Sequence, residues 1–292
     1  MSARTETNKK LEAIEKHVDK MYDKTRVKIE VEWNAYMKRQ EKVLTPLYND
    51  MQKAKKTGIG VKEATEKYKT AYEKATLKSA EYRKLVDKTT GQITKTNEEA
   101  TEYINKQLAQ IYAINYNELT VDGLERKFVN TKTVQNLANN NRAFLPYKQL
   151  DKYKDALWNE KTLNAQVLQS IMLGESPYEL AKRLKHVVGM NNTSAIRNAR
   201  TMVTGAENKG KYDSFKEARK KGVKLMKMWL SAHDGHTRHA HLELDGVELP
   251  IDEPFENSLG ELMYPADPDG DPANVYNCRC SLVSVVKGFD WE

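Results

Sequence analysis

The chain has 292 residues, a mean hydropathy of −0.77 and charged side chains at 30% of its positions. This length exceeds the size that one hydrophobic core usually serves, so we expect two structural regions. No run approaches the roughly 20 apolar residues that a membrane-spanning helix needs, which argues against a membrane protein. The polar composition instead predicts long helices surrounded by solvent.

The net charge of +7 conceals an uneven distribution along the chain. Residues 1–110 contain 24 Lys and Arg against 17 Asp and Glu, residues 111–228 contain 21 against 11, and residues 229–292 contain 3 against 13. The basic body predicts a polyanionic partner such as nucleic acid, because Lys and Arg release the counterions of phosphates. A solvated helical surface is the alternative. The N-terminus lacks the apolar core of a signal peptide, so we expect the protein in the cytoplasm.

The N-terminal third has helical periodicity. Apolar residues recur at steps of three and four over residues 8–56, which predicts a long helix that Pro46 kinks or interrupts. The Gly-Ile-Gly segment 58–60 is predicted to end it. A second helix is predicted over residues 61–88, and Gly91 is predicted to end it.

A third helix is predicted over residues 97–112, and antiparallel hairpins are the simplest arrangement of the three helices. Tyrosines at helical spacing predict buried core contacts, with base stacking on nucleic acid as the alternative. The pattern loosens over residues 115–155, so we place a boundary near Val134. The predicted domains are a basic helical-hairpin region, residues 1–133, and a second module, residues 134–292.

Helical signals resume in the second module. Gly174 is predicted to end one helix, and Ser176 is predicted to cap the next, with Pro177 at its first position. Thr193 is predicted to cap a further helix that continues to about Lys220.

Beyond that helix the pattern changes to one typical of strands, in segments 223–230, 247–249 and 281–286. The chain is therefore predicted to have a mostly helical α+β fold. In that fold, long helical hairpins precede helices packed on a small antiparallel sheet with long loops.

The strongest indication of a site is the concentration of His and Cys near the C-terminus. Four of the six histidines and both cysteines lie within residues 233–280. Cys278 and Cys280 are poorly placed for a disulfide, but they can present two thiolates to one borderline-soft metal ion. With imidazole ligands they predict a zinc site that fixes long loops. A reduced thiol pair with exposed histidines is the alternative.

Residues 174–280, which include this region, carry a motif, a set of residues in a recognisable order. Its residues, in chain order, are Gly174, Glu175, Ser176, Leu184, Ala199, Arg200, Thr201, Ala206, Asn208, Gly210, Trp229, Asp234, Thr237, Arg238, His241, Asp245, Gly246, Phe255, Tyr264, Pro265, Asp267, Pro268, Asn277, Cys278, Arg279 and Cys280. This order resembles the phage Mu F-like minor head (head-morphogenesis) proteins over about residues 160–286. The sequence departs from that family at His236, where Arg is usual.

The resemblance implies that His241 is the first imidazole ligand, because it occupies the motif position. His239 is expected as the fourth ligand, since alternate side chains of an extended segment share a face. The predicted ligands of a structural zinc ion are therefore His239, His241, Cys278 and Cys280. No catalytic residue is predicted.

The family also implies a function. We expect a non-enzymatic minor capsid protein that assembles in the host cytoplasm and resides in the virion, inside the capsid near the portal vertex. Its expected partners are the portal protein, the major capsid and scaffolding proteins, and packaged double-stranded DNA bound without sequence preference. Members sometimes leave with the DNA, which implies a role in genome ejection.

An enzymatic alternative remains open. Modules similar to the Mu F-like one are grouped with the ADP-ribosyltransferase-like fold, so the resemblance also raises a transferase or metal-nuclease effector. The sequence contains no Gly-x-Ser-x-Gly turn, His-Glu-x-x-His helix or phosphate-binding glycine loop.

Two local patterns have simpler interpretations. Asp234 and Arg238 flank a turn-prone glycine, and we expect them to pair and order their loop. Asp267, Asp269 and Asp271 alternate as in a calcium loop, but the prolines between them fit an EF-hand poorly.

Overall fold

A computed structural model describes residues 2–119, 128–141 and 144–289. Over these residues the chain is mostly helical with a small antiparallel sheet, as the sequence predicts. The helices are α1 (Ala3–Thr57), α2 (Val61–Ala75), α3 (Ala80–Glu118), α4 (Thr131–Asn140), α5 (Lys152–Leu173), α6 (Pro177–Lys220), α7 (His239–Leu242) and α8 (Pro272–Val275). The strands are β1 (Val223–Leu230), β2 (Glu248–Pro250), β3 (Phe255–Asn257), β4 (Gly260–Leu262) and β5 (Ser281–Phe289).

The second and third helices differ from their predicted bounds. The predicted helix over residues 61–88 is interrupted after α2, where the backbone of Thr76 leaves the helical conformation (φ −123°, ψ −96°). Ser79 then accepts the Tyr82 amide (3.3 Å) at the start of α3. Gly91 does not end a helix but lies inside α3. A single glycine weakens a helix by only about 1 kcal/mol, so the packing of its neighbours outweighs it.

Two of the three predicted helix signals around α6 are confirmed. Gly174 has a left-handed backbone (φ 65°) and ends α5. Ser176 accepts the Glu179 amide (3.3 Å), and Pro177 is the first residue of α6. Thr193 was predicted as a cap, but it lies in the middle of α6. There its hydroxyl donates to the carbonyl of Gly189, four residues earlier (3.0 Å), and does not cap a helix.

The principal sheet has three antiparallel strands in the order β2-β1-β5. The central strand β1 alternates in burial, so Leu225, Lys227 and Trp229 face a hydrophobic core that also includes Phe255 and Leu282. The three predicted strands are all present. The β3–β4 hairpin was not predicted.

The chain divides into two compact units. One contains residues 1–17, 101–149 and 195–292 and carries the sheet. The other contains residues 18–100 and 150–194 and is helical. The predicted boundary near Val134 stays a prediction.

The helical unit confirms that tyrosines at helical spacing form a core. Trp33 contacts Tyr36 and Tyr82 edge to face, and its ring N–H donates to Thr89 (2.9 Å). Tyr22, also buried, donates to Asn97 (2.6 Å). These rings are buried in the protein and therefore do not form a platform for nucleic-acid bases.

The sheet-bearing unit depends on a close approach of α6 to α3. A Cβ atom on Gly210 would lie 2.5 Å from the Tyr112 carbonyl oxygen and 3.1 Å from the Tyr116 amide nitrogen. Both neighbours are backbone atoms within a helix, so they cannot move aside cheaply. Only glycine fits this position without displacing a helix.

We expect Gly210→Ala to lower the free energy of unfolding by about 1–3 kcal/mol, because the new methyl group forces the helices apart. Chemical denaturation of the full chain measures this change. Gly189→Ala is the matched control in the same helix, since its Cβ would meet nothing within 4 Å. It should stabilise the protein by about 0.5–1 kcal/mol. Equal effects of the two substitutions would contradict the packing argument.

Candidate metal centre

One imidazole and two thiols converge in the core of the sheet-bearing unit. His241 Nδ1 lies 3.7 Å from Cys278 Sγ and 3.6 Å from Cys280 Sγ. The three candidate ligand atoms lie within 4.8 Å of one another, and each residue is 1% exposed. The convergence of His241 with the cysteine pair agrees with the sequence prediction.

Short elements around strand β1 position these side chains. His241 lies on the single-turn helix α7, and the Trp229 ring of β1 packs edge-on against it at 5.3 Å. The cysteines follow α8, at a turn where Asn277 adopts a left-handed backbone (φ 58°). The Asn277 amide donates to the Thr201 hydroxyl of α6 (2.7 Å), which fixes this turn.

The spacing of the three atoms suits a tetrahedral ion. Zinc bonds of about 2.3 Å to sulfur and about 2.0 Å to nitrogen, at tetrahedral angles, place the two ligand atoms about 3.6 Å apart. The observed separations of 3.6 and 3.7 Å match that value. The donor set, with two thiols and one imidazole, is also one that zinc prefers. The residues present therefore fit zinc.

Hydrogen bonding favours one thiolate in this pair. The Cys278 thiol donates to Cys280, and this bond lowers the pKa of Cys280 despite burial, with help from His241 and the Ala232 amide. The same bond, together with burial, raises the pKa of Cys278. The pair thus releases one proton readily and retains the second. A bound cation would favour loss of both.

The structure does not bring His239 to this group. Its ring faces Glu243 (3.0 Å), and its side chain is 88% exposed. The prediction assumed an extended segment, but residues 239–242 form a helix, in which side chains two positions apart point in different directions. Among the described residues, no fourth His, Cys, Asp or Glu joins the three.

The preceding loop is held by a different ion pair from the predicted one. Asp234 pairs with Arg279 (2.9 Å), the residue between the two cysteines. Arg238, the predicted partner, instead donates to the Tyr276 carbonyl. His233 is not part of the group formed by His241 and the two cysteines. Its Nε2 atom lies 2.9 Å from Oδ2 of Asp245. Both arginines therefore connect the histidine loop to the cysteine turn.

Helix α6 fixes the cysteine turn from the other side. Asn208 is fully buried, and its amide donates to the carbonyls of Cys280 and Pro265 (both 3.1 Å). Its side-chain oxygen accepts the Leu282 amide (2.7 Å). The motif contained Asn208, but its spacing alone could not reveal these partners.

The part of the chain that contains the candidate metal centre is similar to known proteins. Residues 161–283 match the family model of Phage Mu protein F like protein. The resemblance inferred from the motif residues is thereby confirmed. The matched segment contains α6, the sheet strand β1 and all three residues of the candidate metal centre.

Two curated relatives share part of the chain. Over 195 residues it is 29% identical to "Minor head protein GP7" of Bacillus phage SPP1, which covers 64% of this chain and 60% of the relative. Over 149 residues it is 32% identical to "NAD(+)--arginine ADP-ribosyltransferase EFV" of Enterococcus faecalis, which covers 50% of this chain and 29% of the relative. The chain thus spans less than two thirds of either relative.

No solved structure matches the chain. Within residues 2–119, 128–141 and 144–289, no helical stretch has the length and apolar character that crossing a bilayer requires.

Beside Asn208, a buried ionic network supports the segment that matches the Mu F-like family model. Glu207 accepts hydrogen bonds from Lys211 (3.0 Å), Arg4 (2.7 Å) and the Ser281 hydroxyl (3.0 Å). Arg4 also donates to the carbonyl of Arg279 (2.8 Å), within the cysteine turn. Burial opposes ionisation of Glu207, but Lys211 and Arg4 outweigh it, so the pKa of this carboxyl lies below its ordinary 4.5.

A lowered carboxyl pKa stabilises the fold above pH 4.5, and this stabilisation is lost as the pH falls through the lowered pKa. At pH 7 we expect Glu207→Gln to lower the free energy of unfolding by about 3 kcal/mol, because it leaves buried cations unpaired. The difference from wild type should shrink below pH 4.5. Chemical denaturation across pH measures it.

Glu15→Gln is the control, because Glu15 forms a part-buried pair with Arg200 (2.6 Å) in the same unit. Its cost should stay below about 1 kcal/mol. A cost for Glu207→Gln that does not change with pH would contradict the ionic role of this carboxylate.

Proposed function

We propose that this chain is a non-enzymatic minor head protein that acts in phage head assembly. The observation that carries the proposal is the buried His241, Cys278 and Cys280 group, which lies inside the segment matching the Mu F-like family. A buried group of this kind suits closure of a docking module better than access to a substrate. The similarity to a minor head protein of phage SPP1 supports the same assignment.

The proposed partners are the portal protein, the major capsid and scaffolding proteins, and packaged DNA. The chain would therefore assemble in the host cytoplasm and reside in the virion near the portal vertex, with a role in genome ejection. The charge distribution supports a DNA contact, because residues 1–228 carry 45 Lys and Arg against 28 Asp and Glu. Contacts with phosphates through these cations would be independent of sequence.

The proposed metal is a structural zinc ion held by His241, Cys278 and Cys280. When bound, zinc supplies a cross-link between α7 and the turn before β5, and this link stabilises the folded state. Other residues of the chain hold the two ligand-bearing loops in position. Arg279 and Arg238 hold the two loops together, and Asn208 fixes the Cys280 backbone.

The second candidate is an ADP-ribosyltransferase-like or metal-nuclease effector. The enterococcal relative's name favours it, but the alignment covers only 29% of that protein, so the named activity belongs to a much longer chain. A similar module can occur in proteins of unrelated activity. The buried Glu207 is already bonded to two cations and a hydroxyl, which suits a structural carboxylate. We therefore prefer the assembly function.

The purified full chain should contain about one zinc ion, measured by elemental analysis. Cys278→Ser and Cys280→Ser should each release it and lower the thermal midpoint, because a hydroxyl is a poor substitute for a thiolate ligand. His239→Ala is the matched control, since this exposed histidine lies outside the group. Zinc-free wild-type protein would end the zinc proposal, and loss of zinc in His239→Ala would restore His239 as a ligand.

The assembly function is tested by co-expressing the chain with the portal, scaffolding and major capsid proteins of its phage. We expect it to co-purify with portal-containing particles. In infected cells, particles that assemble without it should contain less DNA. Its binding to duplex DNA should weaken steeply with added salt. Absence from particles, together with consumption of NAD or cleavage of DNA by the purified chain, would favour the effector instead.

A further inference from the structure

The imidazole of His241 has a second polar contact, on the side away from the sulfurs. Its Nε2 atom lies 2.8 Å from Oδ1 of Asn274, a residue of α8. Both side chains are buried, with Asn274 fully enclosed. Neither group can exchange this contact for bulk water. The polarity of this one hydrogen bond therefore controls which ring nitrogen carries a proton.

Backbone groups fix the orientation of the Asn274 amide. Its Nδ2 atom lies 3.3 Å from the Gly260 carbonyl oxygen, which can only accept a hydrogen bond. The NH2 group must therefore face Gly260, and Oδ1 must face His241. Amide orientations are assigned from such networks, and this one has a backbone group that permits only one choice.

A neighbouring amide reinforces the same orientation. Asn257 accepts the Leu259 amide through Oδ1 (2.8 Å) and donates through Nδ2 to the Ala240 carbonyl (3.3 Å). Its oxygen also accepts from Asn274 Nδ2 (3.1 Å), and its NH2 group donates to Asn274 Oδ1 (3.2 Å). Each contact agrees with the others. The loop of the β3–β4 hairpin thus holds the Asn274 oxygen towards the imidazole.

An oxygen that only accepts requires an N–H group on the His241 Nε2 atom. A neutral imidazole carries one N–H group, so Nδ1 keeps its lone pair. Nδ1 is also the atom that faces both sulfurs, at 3.6 and 3.7 Å. The tautomer set by Asn274 is therefore the one in which His241 can bind an ion together with the cysteines.

We propose that Asn274 is a positioning residue for the metal centre. It holds His241 as the Nε2–H tautomer and aims Nδ1 at the ion bound by Cys278 and Cys280. This inference rests on the zinc site proposed above. Asn274 touches the ligand and not the ion, so its effect on the metal is indirect.

The test compares zinc affinity among full-length variants by competition with a chromogenic chelator. Asn274→Leu should weaken zinc binding 10–100-fold, because the buried Nε2–H group loses its acceptor. Asn274→Asp should weaken zinc binding less than Asn274→Leu, because one carboxylate oxygen still accepts that proton although the other meets the Gly260 and Asn257 oxygens. Asn192→Leu is the matched control, because Asn192 lies in α6 and bonds Asp19 (2.8 Å), away from the centre. It should leave zinc affinity unchanged.

A second measurement does not depend on a variant that folds. Long-range proton–nitrogen NMR correlations of the zinc-bound wild-type chain, assigned with His241→Gln, should reveal protonated Nε2 and unprotonated Nδ1. Protonated Nδ1, or zinc bound through Nε2, would overturn the proposal.

The outcomes separate this inference from the zinc site itself. Wild-type zinc binding with an equally tight Asn274→Leu variant would remove the positioning role and leave the site. Wild-type protein that binds no zinc would remove the site and, with it, the positioning role of Asn274.

Discussion

The C-terminal module depends on the contact between one buried imidazole and two buried thiols. Its principal sheet has three strands, one of them only three residues long, and the chain between them forms long loops that pack apolar residues such as Ile251 and Tyr264 into the core. The His241 and cysteine side chains join two of these loops at one point. Polar groups in such a position are costly unless they are paired or bind a metal. This requirement explains why the surrounding contacts are so specific.

Two adjacent residues of α6, Glu207 and Asn208, form hydrogen bonds with the buried polar groups on the other side of the cysteine turn. Asn208 satisfies the backbone at Cys280 and Leu282, and Glu207 binds Ser281 between them. Glu207 in turn needs cations, and Arg4 supplies one from the start of α1. The module is therefore incomplete without a residue that lies more than 150 positions before the matched segment. A sequence search centred on the motif cannot find such a contribution.

Local signals in the sequence predicted much of the fold. Ser176 and Gly174 act within one helical turn of their own position, so their roles follow from neighbouring residues alone. The interruption at Thr76 was not predicted because no glycine or proline marks it, and the continuity through Gly91 was missed because a single glycine is a weak stop signal. A distinction between local and tertiary signals applies to the residues of the candidate metal centre. The cysteine pair and His241 were predictable from residue type, whereas His239 required the local backbone, which proved helical. Asn274 could not be recognised, since its role depends on the hairpin loop that orients it.

Burial also bears on whether the proposed metal would be structural or catalytic. A catalytic zinc ion keeps an open position that water and substrate can reach, whereas a structural ion is enclosed. Cys278, Cys280 and His241 are each 1% exposed, and Trp229 covers one face of the ring. An imidazole between a thiol and an asparagine is also the arrangement of a cysteine hydrolase, but that chemistry needs a nucleophile accessible to its substrate. The enclosed sulfurs fit neither catalytic role. They fit an internal cross-link, and such a link can serve a head protein and a longer enzyme equally well, because it stabilises the module without determining what the module binds.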